Sequence, residues 1–218
     1  MNENLDFIIT QKLERTAAAL EKNNIKAFIC ENKDEALNIV KGLLTKGSTV
    51  SNGGSVSLSQ CGVIDLLRCG DYNYLDRTGL EGEALQKLYR DCFFADSYLC
   101  SSNAVTEDGY LYNVDGNSNR VSAITFGPKQ VIMVVGMNKV VRNIDEAIHR
   151  VKSVSAPANT KRLGCDTYCE KKGVCVGING CISDGCDGAR ICCNYVISAK
   201  QRIKDRIKVI LVKEELGF

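Results

Sequence analysis

The run KQVIMVVG at residues 129–136 constrains this fold more than any other stretch of the chain. Val131 to Val135 are apolar without interruption, so a strand there has no face to offer water. Such a strand belongs inside a parallel sheet with helices packed above and below it. STVSN (48–52) reads as another buried strand, and CNYVIS (193–198) and IKVILV (207–212) are β-rich runs near the end. KAFIC (26–30), YNYLD (72–76), Ser97 to Cys100 and GYLYNV (109–114) supply further strand candidates.

Between these runs the apolar period changes from two to three-and-four. Leu5, Ile9, Leu13, Thr16 and Leu20 predict an amphipathic helix over residues 3 to 23. Asn32 to Asp34 can cap a second helix through Leu44, with Ala36, Leu37, Val40 and Leu43 inward. A third helix carries Leu58, Cys61, Ile64 and Leu67; others are predicted over Glu81 to Phe94 and Asn143 to Val151. Alternating helix and buried strand gives an α/β fold, with a mainly parallel open sheet, right-handed crossovers and helices on both faces. A composition break near 157–164 separates this body from a cysteine-rich insert, so one domain over 1–218 with an insert at 165–193 is expected.

A net charge of +2 gives no electrostatic footprint for nucleic acid. Lys and Arg crowd Lys200 to Lys208, but alternation with Ile203 and Ile207 reads as an amphipathic, solvated surface element. The opening MNENLDFIIT carries acids where a secretory leader carries positive charge, and no stretch is long enough to span a membrane. A cytoplasmic address is therefore expected. The single histidine, His149, follows Asp145 by four residues on a predicted helix, which suits an exposed pair. Ser-His triads and histidine-based zinc hydrolase sites find no support.

Chemistry-bearing residues gather at predicted strand ends. VSNGGSVSL (50–58) is strand, glycine turn and helix start, and Gly53, Gly54, Ser55 and Ser57 there suit a phosphate or carboxylate. It is neither a Walker A nor a dinucleotide fingerprint, and turning and capping alone would also explain it. Asn103, Asp115, Asn119, Arg120, Asn138 and Lys139 also stand at strand ends or turns, where open parallel sheets collect ligands. Asp115 and Asn138 could be simple turn formers. Arg120 and Lys139 are not turn residues and could hold an anion. If the cleft does chemistry, Asp115 and Lys139 are the acid–base candidates.

Seven of the twelve cysteines lie between Cys165 and Cys193, in a glycine-rich segment too poor in carbon to build its own core. A reducing cytosol argues against disulfides there, leaving zinc, an iron–sulfur cluster or empty thiols. No C-x2-C knuckle and no bacterial ferredoxin run is present. Cys192 and Cys193 are adjacent, so only one should face a shared centre. Cys30, Cys61, Cys69, Cys92 and Cys100 sit singly among apolar neighbours and read as small buried hydrophobes.

NGGSVSL, the block DSYLCSSNAVTEDGYLYNVDGNSNRVSAITFGPKQVIMVVGMNKVV and the PANTKRL turn together resemble the LUD domain, the lactate utilization protein C-like family, over nearly the whole chain. The resemblance implies a fold grouped with ribose-5-phosphate isomerase A, glucosamine-6-phosphate deaminase and the CoA transferases. Short members carry a C-terminal cysteine pattern that maps onto Cys169, Gly173, Cys175, Cys186 and Arg190-Ile191-Cys192. It implies a 4Fe–4S cluster on Cys169, Cys175, Cys186 and Cys192, with zinc as the alternative. The match departs at VGINGCISDG, which brings in Cys181, while Cys165 and Cys193 are extras. The family name implies organic acid utilization with a small anionic metabolite and an iron–sulfur or other redox partner protein. The rival expectation is a non-enzymatic module that zinc staples and that docks on a partner.

Overall fold

In the computed structural model, which describes residues 2–218, β7 (Gln130–Gly136) and β10 (Ile207–Val212) lie side by side in the middle of a six-stranded sheet. The order is β1 (Lys26–Cys30), β10, β7, β4 (Ser97–Cys100), β2 (Thr49–Asn52) and β3 (Asn73–Tyr74), every pair parallel. Period-two alternation divides each central strand between two cores. Val131, Met133, Val135, Val209 and Leu211 meet Leu13 and Leu20 of α1 (Glu3–Lys22) and Ile124 of α6 (Asn119–Thr125). Ile132, Val134, Ile210 and Val212 meet Ala36 and Val40 of α2 (Lys33–Leu43) on the opposite face. Leu58 of α3 (Val56–Gln60) and Leu67 of α4 (Val63–Leu67) complete that second core. Each such side chain contributes about 1.5–3 kcal/mol when removed from water. The predicted single helix over Leu58 to Leu67 divides because Gly62, in the left-handed region, separates α3 from α4.

A second sheet was not foreseen. It runs β8 (Val140–Val141), β5 (Ala104–Thr106), β6 (Leu111–Asp115), β9 (Asn194–Ser198), and GYLYNV and CNYVIS both belong to it. Four residues link β5 to β6, too few for a crossover helix, so the pair is an antiparallel hairpin. Beneath it Tyr112 packs on Ala147 of α7 (Ile144–Arg150).

PANTKRL is also not a turn. α7 passes through one π-helical turn (Val151–Ser155) into α8 (Ala156–Leu163), with Pro157 in the first turn of α8. Proline lacks an N–H, and the widened turn before it supplies a place where that N–H is not needed. The cysteine segment begins only after Gly164, which closes α8 in the left-handed conformation. It contains one short helix, α9 (Tyr168–Lys172), and is otherwise irregular.

Two further expectations fail. The Lys200–Lys208 run is no solvated face throughout: Arg206 is buried and donates to the carbonyls of Ala123, Ile124 and Pro128. It thereby ties α6 to the start of β10. Cys69 is exposed, whereas Cys30, Cys61, Cys92 and Cys100 are buried as expected. No helix among the described residues is long and apolar enough to cross a membrane.

Candidate functional site

Because the main sheet is parallel, β2, β4 and β7 end on one edge. They deliver Gly53-Gly54, Ser101 to Asn103 and the 3-10 turn Met137–Lys139 to the same place. A cleft of about 370 Å³ opens there. Lys139 forms its floor, only 4% exposed, with Nζ donating to Ser57 Oγ at 2.8 Å and Ser101 Oγ at 3.1 Å. Burial, followed by the nearby Arg150 and Arg120 guanidinium groups, brings its pKa down to about 7. A lysine held by two neutral hydroxyls beside two cations is short of negative charge. An anion entering the cleft would supply it.

Arg120 differs from its expected role. Nη1 donates to Asn113 Oδ1 at 2.6 Å and Ser101 O at 3.3 Å; Nη2 donates to Val114 O at 2.7 Å and Asn103 Oδ1 at 2.9 Å. Nε lies 3.8 Å from Asp115 Oδ2. With its fork spent on protein acceptors, Arg120 braces the 101–103 loop against β6, and its contribution to a ligand is field rather than hydrogen bonds. Gly53 makes room for it: a Cβ there would lie 3.1 Å from Arg120 Cδ and 2.9 Å from Tyr98 Oη.

Asp115 lines the cleft and caps α6, Oδ2 accepting from Val121 N–H at 3.1 Å. Among the described residues its Oδ1 has no protein partner. Gly54, Ser55, Asn103 and Asn119 also border the cleft. Asn138 and Ser57 turn elsewhere. Asn138 donates to Gly217 O and accepts from Leu216 N–H, and Ser57 Oγ donates to Leu216 O. These two residues seat the 216–218 tail rather than facing a ligand.

Sequence reasoning missed two cations. Arg77 follows β3 and lines the cleft, and among the described residues its guanidinium has no hydrogen-bond or ion-pair partner. The rule that selected Lys139, a polar residue just past a strand, applies to Arg77 equally. Arg162 stands on α8 three residues after Asn159, to which it donates at 2.7 Å. It was hidden by reading PANTKRL as a turn.

The cysteine module forms part of the same wall, through Ile191 and Cys192. All twelve cysteines are unpaired. Burial pushes the Cys192 thiol up to about 12, and the thiols of Cys169, Cys175 and Cys186 add to the rise against Arg190. Cys192 therefore has the other three cysteines of the expected set in its surroundings. Cys181 and Cys193 are exposed. Among the described residues no three Cys, His, Asp or Glu side chains close tightly enough to hold an ion. The donor set fits a thiophilic metal or cluster in type, and among the described residues its sulfurs do not converge on a common point. The Cys192 thiol resists ionisation, and a cation beside it would reverse that resistance.

Polar tethers fix the module to the body. Lys152, in the π turn and buried, donates Nζ to the carbonyls of Gly177 at 2.7 Å and Cys181, while its own carbonyl accepts Cys175 N–H at 2.9 Å. Arg190 bridges Cys192 O at 2.8 Å and Tyr195 Oη at 2.6 Å. Thr160 of α8 places Oγ1 3.4 Å from Cys169 Sγ.

No curated protein matches the chain. A DUF162 family protein from Deinococcus radiodurans, solved as a crystal structure, is similar in fold. It shares 13% identity and a TM-score of 0.52, over 94% of this chain and 98% of that one. The model of the LUD domain matches residues 13–212, which spans both sheets and the cysteine module, and the chain belongs to the LUD domain family.

Proposed function

We propose that this LUD-domain protein binds a small anionic metabolite, an organic acid such as lactate or a sugar phosphate, beside an iron–sulfur centre on Cys169, Cys175, Cys186 and Cys192. Its role is then redox chemistry in organic acid utilization, in the cytoplasm and with a redox partner protein. One observation carries the reading: Cys192 borders the same cleft as Lys139 and Asp115. A 4Fe–4S cluster, when bound, supplies electron transfer or a Lewis-acidic iron. The chain's own residues bind and orient. Lys139 Nζ holds the anion as an ammonium or takes up a proton as an amine, since its pKa stands at about 7. Asp115 offers Oδ1 as the second acid–base group.

Anaerobic purification tests this directly. Brown protein with iron and sulfide in near-equal amounts, bleached in Cys192→Ser and spectrally shifted by added organic anion, supports it. Metal analysis that finds neither iron nor sulfide, with the fold intact after chelation, sinks the redox role. A zinc-stapled docking module is the second reading, favoured by the exposed Tyr168 and Val176 on the module surface. Colourless protein holding one zinc per chain would select it.

A further inference from the structure

The cleft holds more unspent positive charge than one carboxylate can use. Arg77, Arg120, Lys139 and Arg162 line it, against Asp115 as its one acidic side chain among the described residues. Asp115 stands against Arg120, whose fork is already spent on protein acceptors. Lys139, Arg77 and Arg162 remain. Lys139 directs Nζ between Ser57, in the first turn of α3, and Ser101, just past β4. Arg77 comes from the sheet edge beyond β2 and lies against Gly54, where a Cβ would come within 2.9 Å of Nη2. Lys139 comes from the β7 side and Arg77 from the β3 side, so the two cations enter the cleft from opposite sides of the turn between β2 and α3.

We infer that the ligand is a small dianion, with one anionic group on Lys139 and the second on Arg77, on the Arg162 side of the cleft. This rests on the anion-cleft reading above and narrows it. A monoanion such as lactate occupies one station and leaves the half-buried Arg77 guanidinium, which has no protein partner among the described residues, without a counter-charge. A short dicarboxylate or a phosphorylated hydroxy acid fills both. These two sources share one chemistry, two anionic groups a few bonds apart.

Isothermal calorimetry on the full chain at pH 6.5, where Lys139 is mostly charged, distinguishes the cases. The probes are lactate, malate and 2-phosphoglycolate. Malate or 2-phosphoglycolate should bind at least tenfold more tightly than lactate, and whichever is tighter identifies the second anionic group. Arg77→Met should cost the dianion about tenfold and lactate far less, with an unchanged melting temperature because Arg77 has no protein partner to lose. Lactate binding as tightly as both dianions, or Arg77→Met weakening all three alike, overturns the inference and leaves the anion cleft standing. Failure of all three to bind overturns the cleft as well.

Discussion

β7 and β10 hold one another through a continuous parallel ladder and through side chains that interlock on both faces, whereas residues 164–193 are fastened by a few polar tethers. The difference shows what each part can tolerate. In the sheet, stability is spread over many buried apolar side chains, so no single group dominates it. In the module it is concentrated in Lys152, Arg190 and the thiols, so removing one group or adding one ion changes a large fraction of the whole. The cleft lies on the seam between them.

The largest expected break is in the sheet. Ile132→Ala removes a fully buried side chain from the second core and should cost about 2–5 kcal/mol. A denaturant titration followed by circular dichroism would read it, and a loss below 1 kcal/mol would show that this core relaxes more than its packing suggests.

Lys152→Met attacks the module instead. It leaves the carbonyls of Gly177 and Cys181 without their donor, at a cost of about 1–3 kcal/mol. Hydrogen exchange should quicken across 165–193 while β10 stays protected. Uniform quickening would mean that the two regions unfold as one.

On the seam, anion affinity should fall as pH climbs through about 7, where Lys139 loses its charge. Stability moves the other way. Above about pH 7 the unfolded chain keeps a proton on this lysine that the folded chain has released, so folding is favoured as pH rises toward 10.5. Urea midpoints from about pH 6.5 to about pH 7.5, below the ordinary cysteine range, should rise in the wild type more than in Lys139→Met. Equal slopes would remove Lys139 as the cause.

Cys69→Ser sets the lower limit. This thiol is exposed, and the change should stay within about 0.5 kcal/mol by the same titration. A greater loss would mean that Cys69 has a partner in solution.

Much of the main sheet was readable beforehand, because an uninterrupted apolar run such as Val131 to Val135 permits only burial on two faces. The second sheet was not, since GYLYNV alternates like any strand and only its short link to β5 decides its direction. Lys139, Asp115 and Asn119, which border the cleft, were singled out by their place at predicted strand ends or turns, and the same rule applies to Arg77. Arg120 was found and its task misjudged. Sequence reports a guanidinium but not which acceptors will surround it, and here Asn103, Asn113 and two carbonyls arrive from two separate stretches. Ser57 and Asn138 were displaced by a tail more than seventy residues away, which no local pattern announces.

The π turn at Val151–Ser155 sets a phase. An α-helix rotates about 100° per residue, and a π turn accommodates one residue more than an α turn would. Arg150 before it reaches back to Asn138 and Asn103, and Arg162 after it looks into the cleft. Shortening the turn by one residue would leave a smoother rod. It would also aim Asn159 and Arg162 about a quarter-circle away from the opening they now guard.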